Sequence, residues 1–443
     1  MLHCIARSSS SERVLVRRAT SYLDSMLRSF TPMERLVLIL DGPASTAKLA
    51  TQRRRRIDHS MRSVRDGLFD CQQFSPGCLF MTRFEEHLCG LFTGSGASRL
   101  HIPAVTQVCI SGAAVPGEGE SKIFAHMRQS ALEQAGRSRA IIASDSDILL
   151  QAIGHGLPNS HIVAPPWQQR TLHGHFDPEL LTQKLVPQQN DTRIPRLELA
   201  LMVALSANDY LPGLRLANYP SLWSCLAHSS HRIVGNDYRI SISALGDFAR
   251  HYCQRGFPSN LIGLQERILE EARQNPEGSH QRIVSYLASI QTLFGQITGT
   301  GAQPADLGHE DPPMAPSIGE LAFMEVDRVV ADLATRPLRP PPGVPQPGAS
   351  AILMMDLHDD ALLYLPAPLI PTAQQYAQQR ESFASEQAAV DWLNLQIAQL
   401  PRDTLTPADL KTIFRRDDIV IFPNHPPTLK PRLTVPPSPR LRP

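Results

Sequence analysis

The chain is short of charge, of paired cysteines and of long apolar runs. Charged residues make up 19% of 443 and the formal net charge is +1, so the total gives no global attraction to nucleic acid and any such binding has to be local. Seven cysteines (4, 71, 78, 89, 109, 225 and 253) are scattered, with no CxxC pair. An odd, unpaired set argues against a disulfide framework and for reduced thiols inside a cell. Cys71 and Cys78 stand close together, but no second Cys/His pair follows at zinc spacing, so a zinc cage is not expected either. No stretch of about 18 apolar residues occurs, and residues 1–13 lack an apolar run behind a basic start. The expectation is an intracellular protein, cytoplasmic or nuclear, with no membrane contact.

What the chain does have is 42% hydrophobic residues, enough for a large core, and a length that suits two or three domains. Residues 36–41, Leu-Val-Leu-Ile-Leu-Asp, form a short apolar run ending in an acid, the pattern of a strand buried on both faces. Two similar runs follow, over 105–111 and 140–145, with amphipathic helical stretches over roughly 52–92 and 120–134 between them and another over about 12–30 before the first. This alternation predicts an α/β fold with a mainly parallel central sheet flanked by helices. In such sheets ligands gather at the carboxyl ends of the strands. The stretch 336–350 is proline-rich and reads as a linker or surface loop, and the tail from 424 reads as extended or disordered.

The acids fall at those strand ends. Asp41 closes the first run; Glu118 and Glu120 stand in Val-Pro-Gly-Glu-Gly-Glu-Ser-Lys; Asp145 and Asp147 stand in Ser-Asp-Ser-Asp-Ile-Leu-Leu; Asp209 follows a helical stretch over about 196–207. Singly, each has an ordinary reading as a turn, a first-turn helix acid or a solvated strand exit. Four acidic segments at the ends of successive elements instead suit hard divalent cations, which need oxygen ligands supplied from several parts of a chain. A basic set accompanies them. Lys48, Gln52, Arg55 and Arg56 are spaced i, i+4, i+7 and i+8 and share one helix face, where forked guanidiniums, an ammonium and an amide suit a terminal phosphate dianion. Arg53 and Arg54 point elsewhere on the same helix, toward phosphates or solvent. Taken alone, Arg53 to Arg56 would read as a solvated basic surface.

In order, Asp-Gly-Pro-Ala-Ser-Thr-Ala-Lys with its following Gln and arginines, Val-Pro-Gly-Glu-Gly-Glu-Ser-Lys-Ile, Ser-Asp-Ser-Asp-Ile-Leu-Leu and Asn-Asp-Tyr-Leu-Pro resemble the pattern of the XRN family of 5′-to-3′ exoribonucleases. The resemblance covers about the first 255 residues. It implies a PIN/flap-endonuclease-like nuclease region over 1–255, a smaller, divergent and mixed second region over 256–423 that includes the 336–350 linker, and a tail over 424–443. It further implies that Asp41, Glu118, Glu120, Asp145, Asp147 and Asp209 are catalytic ligands of two Mg²⁺ ions, with Mn²⁺ as an alternative. Lys48, Gln52, Arg55 and Arg56 would read the 5′-monophosphate of a single-stranded RNA, and His3 would stack on a base. A flap-type endonuclease and a catalytically impaired RNA-binding relic are the other readings.

The chain departs from the family in three places. An aspartate that XRN proteins carry six residues before the His3 position would precede Met1, which leads one to expect impaired activity; Ala207 replaces the usual glycine before Asn-Asp; and an aromatic-rich block is missing from the second region. Base stacking contributes roughly 1–3 kcal/mol per base, so its loss would weaken the hold on substrate. Trp167, Trp223 and Trp392 lie outside that block and are expected to pack in cores. If the acids act as metal ligands, Asp145→Asn combined with Asp147→Asn removes Mg²⁺-dependent cleavage and leaves the circular-dichroism spectrum unchanged. Undiminished turnover by the purified double variant would end that assignment.

Overall fold

The computed structural model describes residues 2–93, 100–103, 106–133, 136–143, 146–164, 174–185, 193–208, 211–229, 231–299, 314–335, 344–357 and 359–422. The chain divides into two compact units, one made of residues 1–123 with 342–443 and the other of residues 124–341. The first unit is therefore discontinuous in sequence. Among the described residues no helix is long and apolar enough to cross a membrane.

In the first unit, α1 (Leu2–Ala6) and α2 (Glu12–Ser29) precede β1 (Arg35–Ile39). Ser11 caps α2 by accepting from the Val14 N–H at 3.4 Å, and Leu15, Ala19, Met26 and Leu27 form its buried stripe. α3 (Thr46–Arg65) and α4 (Leu79–Leu91) follow, then β2 (Gln107–Ser111). β1 and β2 are parallel, pairing Leu36 with Val108 and Leu38 with Ile110. The third strand, β6 (Val420–Phe422), comes from the far end of the described chain and lies antiparallel on β2, with Val108 opposite Phe422. One apolar core joins Leu15, Phe69, Phe80, Phe84, Val108, Ile110 and Phe422. A second, around Leu49, Ile352, Leu353, Leu369, Leu393 and Ile397, packs the later helices of this unit, with Trp392 partly buried against it beside Tyr376 and Phe383.

The second unit has its own sheet. β3 (Arg139–Ile142) and β4 (Ser160–Ala164) are parallel, and β5 (Gly174–Phe176) is antiparallel to β4. Helices supply most of its core, with Leu197, Leu201, Leu205, Phe248, Tyr286, Ile290 and Phe294 fully or nearly fully buried and Trp223 packed against them. The long helix Pro276–Thr298 is capped by the Asn275 side chain and ends at Gly299, whose φ of 72° is the left-handed conformation that closes helices.

Two expectations are corrected. Among the described residues there are, in place of a mainly parallel central sheet, two three-stranded mixed sheets, one per unit. The β1–β2 pair and β3 arise where apolar runs predict strands, but β4 is not anticipated, and each sheet gains an antiparallel edge from a three-residue strand too short to carry a period. The stretch 336–350 is not a linker throughout. Residues 336–343 lie outside the described residues, as does the tail from 423, but Pro347–Met354 is a helix whose residues are all buried. Pro347 occupies its first turn, where a missing N–H costs nothing, and Gly348 fits against Leu369, Ile397 and Ile413 where a Cβ would crowd them.

In the second unit His155, the last residue of the helix Ser146–His155, stacks on Phe124 with ring centroids 4.8 Å apart. Burial, then the Arg128 and Arg196 guanidiniums, lower its pKa to about 3 from an ordinary 6.5. Between those values the folded state holds fewer protons than the unfolded one, so stability rises with pH across the window and is lost as pH falls through it. His155→Phe should flatten that part of a denaturation-versus-pH profile. A variant profile superposing on the wild type there would remove His155 from the account.

Candidate metal and phosphate site

The parallel pairing of β1 and β2 brings their carboxyl ends side by side. Leu40 N–H donates to Ser111 O at 3.0 Å, extending the ladder by one step. Beyond it the two exit loops lock together, Gly42 N–H donating to Gly117 O at 2.9 Å and Gly117 N–H to Pro43 O at 3.0 Å. The fit has no room for side chains: a Cβ at Gly42 would come within 1.7 Å of Val115 O, and Gly117 has a φ of 99°. This interlock puts Asp41 next to the helix Gly119–Glu133. Asp41 Oδ1 accepts from the Gly119 N–H at 2.7 Å, a carboxylate at a helix N-terminus, where the exposed N–H groups favour it.

Lys48, in the first turn of α3, is nearly fully buried. Its Nζ lies 2.9 Å from Glu118 Oε2 and 3.4 Å from Glu120 Oε1. Gln52, one turn on, donates from Nε2 to Glu118 Oε1 at 2.7 Å. Both oxygens of Glu118 are thereby held by α3. Arg56 is buried further along the same face and donates to Ser75 Oγ at 2.5 Å; burial lowers its pKa, while Asp41, two cysteines and Glu118 act the other way. Arg55 stands exposed at the surface.

Burial first, then Glu118, pushes the Glu120 carboxyl up to about 8 even though Lys48 acts against it. Lys122, lowered to about 8 by burial, donates from Nζ to Leu40 O at 2.7 Å and to Gly112 O at 2.9 Å, tying the ends of both strands. His3 lies on α1 and meets Phe74 edge-on at 4.8 Å. Lost hydration, then the Arg56 guanidinium, lower its pKa, so the ring is neutral at pH 7 although the residue keeps an exposed face.

Of the residues singled out from sequence, the first unit thus brings together Asp41, Glu118, Glu120, Lys48, Gln52 and Arg56, with His3 linked to Arg56 electrostatically. Asp147 lies in the first turn of Ser146–His155 in the second unit. Asp145 and Asp209 fall outside the described residues. Among the described residues, no three His, Cys, Asp or Glu stand together closely enough to hold an ion by themselves. The donors in the first unit are nevertheless hard carboxylate oxygens, the chemistry that suits a divalent cation.

Residues 3–164 match the family model described as the XRN 5′-3′ exonuclease N-terminus. Over that stretch the chain is similar to the XRN family. A relative in Saccharomyces cerevisiae, 5′-3′ exoribonuclease 1, is 25% identical over 164 residues, which take in 33% of this chain and 11% of the yeast protein. The matched model describes exonucleases, and the strand-end acids of the first unit all fall inside the matched stretch.

Sequence reasoning missed two partners in this segment. Ser75 receives Arg56, and Glu85, nearly fully buried, takes Lys411 at 3.4 Å and Arg416 at 3.0 Å behind Gly112. A glutamate inside the apolar pattern of α4 was the available signal. Removing one partner of a buried ion pair strands the other charge, at a cost of roughly 3–5 kcal/mol. Lys48→Met should therefore lower the urea-unfolding free energy by about that much, and adding Glu118→Gln should restore most of it. Equal losses in the single and double variants would mean the pair is not what is lost.

Proposed function

We propose that the chain is a metal-dependent 5′-to-3′ exoribonuclease that hydrolyses 5′-monophosphorylated single-stranded RNA to mononucleotides. The observation that carries this reading is the joining of an acid cluster and a basic helix face by Lys48 and Gln52, within the stretch matched to XRN. The nuclease role is assigned to residues 1–255, and 256–423 is read as the divergent second region.

Asp41, Glu118 and Glu120 would hold a divalent cation, with Asp145, Asp147 and Asp209 as the further ligands of a two-ion site. Mg²⁺, or Mn²⁺ in its place, supplies Lewis-acid activation of water and neutralises charge on the phosphodiester. The chain's own groups do the positioning. Gly119 N–H fixes Asp41, Lys122 fixes the strand ends, and Lys48 keeps Glu118 and Glu120 together against their mutual repulsion. Lys48, Gln52, Arg55 and Arg56 line the face assigned to the terminal phosphate, and neutral His3 offers a ring to the first base. A second reading has one observation in its favour: Glu118 is already engaged on both oxygens, which suits an RNA-binding protein with impaired catalysis.

Purified protein should degrade 5′-monophosphate RNA from its end in preference to 5′-hydroxyl RNA, releasing mononucleotides only with Mg²⁺ or Mn²⁺. A charge-assisted hydrogen bond is worth about 1.5–3 kcal/mol, so Arg55→Gln should cut the end preference roughly tenfold or more. Equal rates on both ends would refute end reading, internal cuts would indicate a flap-type endonuclease, and binding without metal-dependent turnover would indicate the impaired protein.

A further inference from the structure

The face of α3 turned away from Lys48, Gln52, Arg55 and Arg56 borders a cleft of about 450 Å³ lined by Thr51, Arg53, Arg54, Ile57, Asp58 and Arg380. On a helix of 3.6 residues per turn these α3 positions lie roughly opposite the proposed phosphate-reading face. Arg380 arrives at the end of the helix Ile370–Gln379 in the same unit. The three guanidiniums are not equivalent. Arg53 is anchored, Nη1 lying 3.1 Å from Glu386 Oε1 and Nη2 donating to Glu386 Oε2 at 3.3 Å. Arg54 and Arg380 are exposed, and among the described residues no carboxylate pairs with either. Three cations against Asp58 leave the lining positive, even though the chain as a whole is nearly neutral.

We propose that this cleft is a second RNA site, which grips the sugar-phosphate backbone away from the end being cleaved. Its volume falls in the range of about 300–1,000 Å³ typical of small-ligand sites, large enough for a nucleotide segment rather than a lone ion. The forks of Arg54 and Arg380 suit phosphate oxygens, and anchored Arg53 gives the site a fixed wall. Among the described residues no aromatic lines it, so the site is read as holding the backbone and not the bases. Asp58 would repel a bare phosphate cluster, but it can accept a hydrogen bond from a ribose 2′-hydroxyl, which favours RNA over DNA or a phosphopeptide. Such a site would keep a long substrate attached between successive cuts. The choice of RNA rests on the exoribonuclease reading; the phosphate chemistry does not.

The test is fluorescence anisotropy of the full chain with a long 5′-hydroxyl single-stranded RNA in EDTA, titrated across salt concentrations. Arg54→Gln combined with Arg380→Gln should weaken binding roughly tenfold at low salt and make the log–log salt slope shallower by about 1.4, at roughly 0.7 per phosphate contact. Arg54→Lys with Arg380→Lys should keep the wild-type slope, and all three proteins should melt alike. DNA of the same sequence should bind more weakly to the wild type. Unchanged affinity and slope in the glutamine pair would overturn the site, as would tighter wild-type binding of a phosphopeptide than of RNA; equal binding of DNA would overturn the ribose contact. Because no cleavage is measured, a catalytically dead protein still answers the question, and loss of this site leaves the exoribonuclease reading standing.

Discussion

The buried pairing of Lys48 with Glu118 is the contact on which the rest of the first unit's chemistry depends. Removing an ammonium and a carboxylate from water costs several kcal/mol each, and their attraction offsets this only if the remaining polar atoms are also satisfied. Gln52 takes the second carboxylate oxygen, and the Gly42–Gly117 interlock holds the acid-bearing loop at the required distance. The arrangement constrains α3 along its length: its first turns face the acids, Arg56 is buried against Ser75, and Arg53 reaches round to Glu386. A helix held from several sides can carry two different chemistries on two faces without one disturbing the other.

The same contact shows why an acid cluster can fold before any cation arrives. Carboxylates crowded at low dielectric repel each other, and the repulsion is relieved either by a counter-cation or by a bound proton. Lys48 supplies the first, while burial and then the neighbouring Glu118 push the Glu120 carboxyl upward.

Much of this was legible in the sequence, and the unread parts share a physical cause. Asp41, Glu118 and the glycines around them stood out because apolar strands ending in acids, followed by Gly-rich turns, are local patterns. The helices over Glu12–Ser29 and Gly119–Glu133 matched their apolar periods. The Lys48–Glu118 bond joins residues far apart in sequence, so no window of periodicity contains it. Lys48 read as one member of a phosphate-facing set because its helix face was visible and the loop opposite was not. The β6 strand is three residues in a proline-bordered tail, and Pro347–Met354 reads as linker until its burial is known. Short elements stabilised by distant partners leave little trace in composition.

The position of β6 bears on how the chain is made. β2 lies between β1 and β6 in its sheet, yet β6 is synthesised roughly 300 residues after β2, on the order of 15–60 s later at about 5–20 residues per second. For that interval a nascent β2 would carry an unpaired hydrogen-bonding edge and an incompletely covered apolar face, a template for association with other chains. The second unit emerges from the ribosome during the same interval, while the first still lacks its last strand. The β1–β2 sheet would then gain its third strand only after the second unit has been made, and a chaperone binding during elongation would find the β2 edge as its target.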